Sequence, residues 1–127
     1  MPPTSSELKA TFKELRRLLK RYQPPLVRRQ NDATHFDLWS VKDVEIAGRK
    51  HTEVYFAGAI IRESYVGFYY MPVYTRPDLK EFFAPELLAL LKGKSCFHIK
   101  TLDAHLVRHI KSALAAGYKL YERNGWV

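Results

Sequence analysis

A single cysteine, Cys96, stands in 127 residues. That excludes an internal disulfide, and a lone free thiol suits a reducing cytosol. No apolar run approaches the ~20 residues that cross a bilayer. The opening stretch MPPTSSELKATFKEL lacks the basic region and apolar segment of a signal peptide. Internal repeats and low-complexity tracts are missing as well. Six glycines and seven prolines, with 46% hydrophobic and 27% charged residues, give an ordinary globular composition rather than a disordered one. The length fits one domain, residues 1–127, and a chain of this size buries roughly two-thirds of its unfolded surface without staples. A soluble, cytoplasmic protein is expected, with no membrane contact.

Acidic residues are scarce at one end. Residues 1–30 hold eight Lys/Arg against two Glu, whereas residues 31–127 hold thirteen against eleven Asp/Glu. The net charge of +8 therefore concentrates near the start. Such a field attracts polyanions or keeps the chain in solution.

Apolar periodicity supplies the elements. Leu8, Phe12, Leu15, Leu19 and Tyr22 form one stripe of a helix over 5–22. Thr4 and Glu7 have capping-box spacing at its start. Pro24 and Pro25 end it, and 23–34 reads as a linker. The sheet region is 35–75. A strand over 35–45 is followed by a turn with Gly48 at its tip, a strand over 53–62 and a strand over 65–74. Glu63 and Ser64 join the last two as a hairpin, which places Gly58 opposite Tyr69 and Gly67 opposite Ile60, a large side chain covering each bare glycine. A helix over 85–92 begins with Pro85 and has Gly93 where a C-terminal cap belongs. A strand over 95–100 follows. A helix over 103–123 closes the chain, with Leu106, Ile110, Ala113, Gly117 and Tyr121 as its buried stripe. The order predicts a two-layer α+β sandwich, a mostly antiparallel sheet of four or more strands with the N- and C-terminal helices on one face.

Three stretches, FAGAIIRESYVGFYYMPVY, PELLALLKGKSCFHIK and AAGYKLYERNGWV, resemble the YdhG-like family of bacterial domains of unknown function. The resemblance runs over roughly residues 35–127. It includes Ala57–Gly58, Val66–Gly67–Phe68–Tyr69, Met71–Pro72, Tyr74, Lys92–Gly93–Lys94, Cys96–Phe97, Gly117 and Tyr121. It implies a compact layout similar to frataxin, with a terminal helix pair over an antiparallel sheet. It implies no catalytic residues, and some members carry an iron-chaperone label.

Chemistry-bearing clusters are few. Frataxin-type iron handling needs dense carboxylates, but the first helix is basic, and only Asp37, Asp43 and Glu45 offer an acidic patch. Cys96, His98, His105 and His109 have ligand types that zinc accepts, yet each has a plain role at the edge of a sheet or helix. GKS at 93–95 ends like a phosphate loop, but Leu88 stands where that loop needs glycine, and the helix–strand order is reversed. Cys96 has no positioned base that spacing supports. Lys9, Lys13, Arg16 and Lys20 form a basic stripe that a phosphate backbone would suit, in a salt-dependent contact. The aromatic stretch YVGFYYMPVYT, residues 65–75, supplies core on one face and sheet surface on the other.

These observations point to a non-enzymatic binding module with no cofactor and no resident metal. Its surface for a protein or small ligand centres on Trp39, Tyr55, Tyr69 and Tyr70. A frataxin-like metal chaperone is the first alternative. A polyanion, including nucleic-acid, binder through the basic helix is the second.

Overall fold

The first helix begins at its capping box. In the computed structural model, which describes residues 2–127, α1 spans Ser5–Lys20. The Glu7 amide donates to Thr4 Oγ1 at 3.1 Å, and the Thr4 amide donates to Glu7 Oε1 at 3.0 Å. Two otherwise unpaired backbone donors are thereby satisfied. Leu8, Phe12, Leu15 and Leu19 are buried, joined by Thr11 and Leu18. Tyr22 lies just past the helix end and is half-buried.

The segment expected as a linker contains a strand. β1 (Val27–Asn31) pairs antiparallel with β2 (His35–Ser40). Its sequence VRRQN has no apolar alternation, because it is an edge strand exposed from Arg28 onward. The Asp37 carboxylate holds it. Where the β1–β2 register shifts, Asp37 Oδ1 accepts the amides of Arg29 (3.2 Å) and Gln30 (2.9 Å).

β2 stops at Ser40 instead of running to residue 45. Residues beyond it form a separate hairpin, β3 (Val44–Ile46) with β4 (Arg49–His51). Ala47 and Gly48 both have positive φ, 52° and 80°, as a tight two-residue turn requires. β5 (Val54–Ile61) and β6 (Val66–Tyr70) make the expected hairpin, with Gly58 opposite Tyr69 and Ile60 opposite Gly67. The Arg62 amide donates to the Tyr65 carbonyl at 2.8 Å around Glu63 and Ser64.

β6 ends at Tyr70 rather than near residue 74. Pro72 cannot donate to a ladder, and Met71–Thr75 coils into a short helix, α2. A 3₁₀ segment, Pro77–Phe82, leads to α3 (Pro85–Leu88), half the length expected from the sequence. Gly93, with φ 79°, lies between β7 (Leu91–Lys92) and β8 (Cys96–Ile99). It turns that hairpin rather than capping a helix. α4 (Ala104–Arg123) is N-capped by Asp103, whose carboxylate accepts the Leu106 amide at 2.8 Å.

The six-stranded sheet has the order β1-β2-β5-β6-β8-β7, and every pairing is antiparallel. One face of it carries Phe36, Leu38, Ala59, Val66, Phe68, Tyr70, Phe97 and Ile99, all buried in one core with the stripes of α1 and α4. Two tyrosine hydroxyls tie α4 to the sheet. Tyr70 Oη donates to the Ala113 carbonyl, and Tyr121 Oη donates to the Tyr55 carbonyl at 2.5 Å. Gly117 lets the helix approach, since a Cβ there would lie 2.5 Å from Tyr70 Oη and 2.7 Å from Pro72 Cγ. The result is a two-layer α+β fold with both long helices against one sheet face.

Candidate functional site

The other sheet face carries no helix. Strand alternation and register place its side chains in rows across the sheet. One row runs Asp37, Gly58, Tyr69, Cys96 across β2, β5, β6 and β8; the next runs His35, Ile60, Gly67, His98. Each row has a glycine, and part of a tyrosine side chain covers each. A Cβ on Gly67 would meet the Tyr69 ring at 2.9 Å, and one on Gly58 would collide with the Tyr55 hydroxyl. The register is as the sequence implied, but the covering rings differ. Tyr69 covers Gly67 from two residues along its own strand, and Tyr55 covers Gly58.

A bulge puts Tyr55 there. The β2–β5 register shifts between Leu38 and Trp39, leaving Phe56 as an extra residue. Phe56 turns into the core against Tyr22, Tyr118 and Tyr121. Tyr55 packs on Trp39, with ring centroids 4.9 Å apart. The Trp39 indole N–H is buried without a partner. Tyr65 stacks on His98 at 3.8 Å and 11°. Arg62 donates to Tyr69 Oη at 2.8 Å. Trp39, Tyr55, Tyr65, Tyr69 and His98 are all half-buried, a state in which apolar ring surface remains in contact with water.

Tyr70 leaves the candidate surface. It is fully buried, because successive residues of a strand face opposite ways and Tyr69 takes the open side. Trp39, Tyr55 and Tyr69 do come together there. Tyr65 and His98 join them, and strand parity alone was enough to place both on this face.

The electrostatics of the face do not prepare a nucleophile. Burial pushes the Cys96 thiol up, against a hydrogen bond with Tyr69 and the charge of Arg62, whereas an activated thiolate is held below its ordinary value. Burial, then Asp37, Tyr69 and Cys96, push the Tyr55 phenol well above its usual range. Burial, Lys92 and Lys100 lower His98.

The metal-like residues do not converge. Cys96 and His98 are on the open face, while His105 and His109 are on α4, across the sheet. His109 Nε2 stands 3.5 Å from Glu86, and His105 Nδ1 is 2.8 Å from Arg108. Asp37 is committed to the β1 backbone, while Asp43 and Glu45 belong to the β3–β4 excursion. Among the described residues no group of three or more His, Cys, Asp or Glu is placed to hold a metal ion.

Lys9, Lys13, Arg16 and Lys20 lie on the outer side of α1, with Arg16 over the Phe12 ring at 5.4 Å. The aromatic and basic surfaces are therefore on opposite sides of the molecule. A separate apolar cleft of about 540 Å³ lies between Leu79, Phe82 and Phe83 and the His109, Ser112 and Ala116 side of α4. No helix among the described residues is long and apolar enough to cross a membrane. No protein-family model, curated protein or solved structure matches the chain.

Proposed function

We propose that this chain is a non-enzymatic binding module whose open sheet face docks a protein partner. One observation carries the reading: Trp39, Tyr55, Tyr65, Tyr69 and His98 gather half-buried on the sheet face that neither long helix covers. Tyrosine and tryptophan supply large contact area at low conformational cost, and they dominate the energetics of protein interfaces. The Tyr55 hydroxyl covers Gly58 and one edge of the Tyr69 ring covers Gly67, each occupying the space that a side chain there would take. A face whose bare glycines are filled in this way suits another protein better than a small molecule, which concave sites bury. The same reading places the chain in the cytoplasm, where a free thiol such as Cys96 stays reduced. It also places it with YdhG-like domains. Support for that comes from the ordered residues of 35–127 and from a terminal helix pair over an antiparallel sheet.

The test is in-cell photocrosslinking, with Tyr69 replaced by a photoreactive phenylalanine analogue and Arg123 replaced in the same way as a control on the helix side. A discrete adduct to one identified protein is expected from position 69, lost when Trp39→Ser is added, and none from position 123. Protein adducts from position 123 with none from position 69 would sink the reading.

A further inference from the structure

The helical face holds nearly all of the net charge. Residues 5–21 carry six Lys/Arg against two Glu, and residues 104–123 carry four against one, while the remaining residues hold eleven against ten. The fold brings the two basic segments side by side. Tyr22, at the end of α1, packs on Tyr118 of α4 at 5.1 Å; the Glu14 carboxyl is held below its ordinary value chiefly by the Arg17 hydrogen bond, with smaller contributions from the charges of Lys111 on α4 and Arg21.

The carboxylates on this surface are largely spoken for. Glu7 is bound into the Thr4 cap, and Glu14 grips Arg17 through two contacts of 2.5 and 3.1 Å. Among the described residues, Arg17 is the one Lys/Arg of these ten in an ion pair. Lys9, Lys13, Lys20, Arg21, Arg108, Lys119 and Arg123 are exposed. A shallow hollow of about 380 Å³ opens over Ala10, walled by Lys13, Arg16, Arg17 and Lys20 together with Glu14, whose carboxylate is paired with Arg17.

We infer that the outer surface of α1 and α4 binds the phosphate backbone of double-stranded nucleic acid. Unpaired cations at this density gain affinity by releasing the counterions condensed on a polyphosphate. A lipid surface fits less well, because an interfacial helix inserts large apolar side chains beside its cations. The large exposed apolar residues are Val41, Tyr74, Phe82 and Leu88, none of them on α1 or α4. A single strand also fits less well, since such sites place aromatic stacking platforms along the basic track. Here Tyr22 and Tyr118, between the two helices, pack on each other and on Phe56, and the larger aromatic face lies across the sheet. Contacts made to the backbone alone carry no sequence preference. This inference is independent of the sheet-face reading.

Fluorescence anisotropy with a labelled 24-base-pair DNA duplex, the matching single strand, and phosphatidylserine vesicles between 50 and 200 mM NaCl tests it. The duplex is expected to bind more tightly than the single strand, with affinity falling steeply as salt rises. The triple variant K9Q/K13Q/K20Q is expected to lose about tenfold or more in affinity and to flatten the salt slope by about one per lysine. The variant K42Q/K50Q/K100Q, with the same change in net charge away from the helices, is expected to stay within about twofold. Equal losses in both variants, tighter binding of the single strand, binding of vesicles but not duplex, or no duplex binding at 50 mM NaCl would each overturn it.

Discussion

The Tyr65 ring lies nearly parallel on the His98 imidazole, 11° apart in plane and 3.8 Å between centroids. The pair ties the residue just before β6 to β8 on the open sheet face and partly desolvates the histidine. Burial, then Lys92 and Lys100, lower the His98 pKa from 6.5. The folded protein therefore disfavours the imidazolium. Its contribution to stability is present above the unfolded value and is lost as pH falls from 6.5 through the folded value. An NMR titration is expected to place His98 below 6.5, and Tyr65→Ala is expected to move it back up. A His98 that titrates at 6.5 or above in the parent protein would contradict this.

Cys96 is expected to be a slow thiol. Burial raises its pKa, so little thiolate forms at neutral pH. The rate of iodoacetamide alkylation is expected to keep climbing with pH and to show no plateau up to pH 9. Adding Arg62→Gln removes a charge that favours the thiolate and should shift that curve higher still. A plateau near neutrality would contradict the account.

Gly117→Ala tests the approach of α4 to the sheet. Alanine gains about 1 kcal/mol of helix propensity, but its Cβ would meet Tyr70 Oη and Pro72 Cγ. Overpacking of about 1–3 kcal/mol and loss of the Tyr70–Ala113 hydrogen bond, about 1 kcal/mol, outweigh that gain. Urea unfolding is expected to show a net loss of about 1–3 kcal/mol. Because Tyr70→Phe removes the clashing hydroxyl, the double variant should be more stable than the sum of the two single losses. Strict additivity would contradict the contact.

Asp37→Ala is expected to free β1. It removes the acceptor for the Arg29 and Gln30 amides and should cost about 2 kcal/mol. Hydrogen exchange at those two amides should rise most, with β5 and β6 remaining protected. Asp37→Asn keeps an acceptor oxygen and should sit between. A uniform rise over the whole sheet would contradict a local role.

Much of this was legible in the sequence, for reasons that particular residues explain. The Gly58–Tyr69 register followed because a two-residue turn at Glu63 and Ser64 leaves one alignment. The buried stripe Leu106, Ile110, Ala113, Gly117, Tyr121 followed from helical spacing. β1 did not, since VRRQN has no apolar pattern and is held by a carboxylate eight residues away from its farther partner. Tyr70 is not part of the surface beside Tyr69, since strand parity sends neighbouring residues to opposite faces. Tyr55 reaches the open face through a bulge that alternation alone hides. The charge counted along the chain assigned the excess to the first thirty residues, and packing of α4 beside α1 extends it into a surface.

The central claim is that the open sheet face is the docking surface. With the partner identified by crosslinking at position 69, the most direct test is its titration into the isotope-labelled chain, followed by amide and aromatic chemical shifts. Changes are predicted to be confined to β2, β5, β8 and residues 65–70, largest at Trp39, Tyr55, Tyr65, Tyr69 and His98. Changes confined to α1 and α4, with those five residues still, would contradict it.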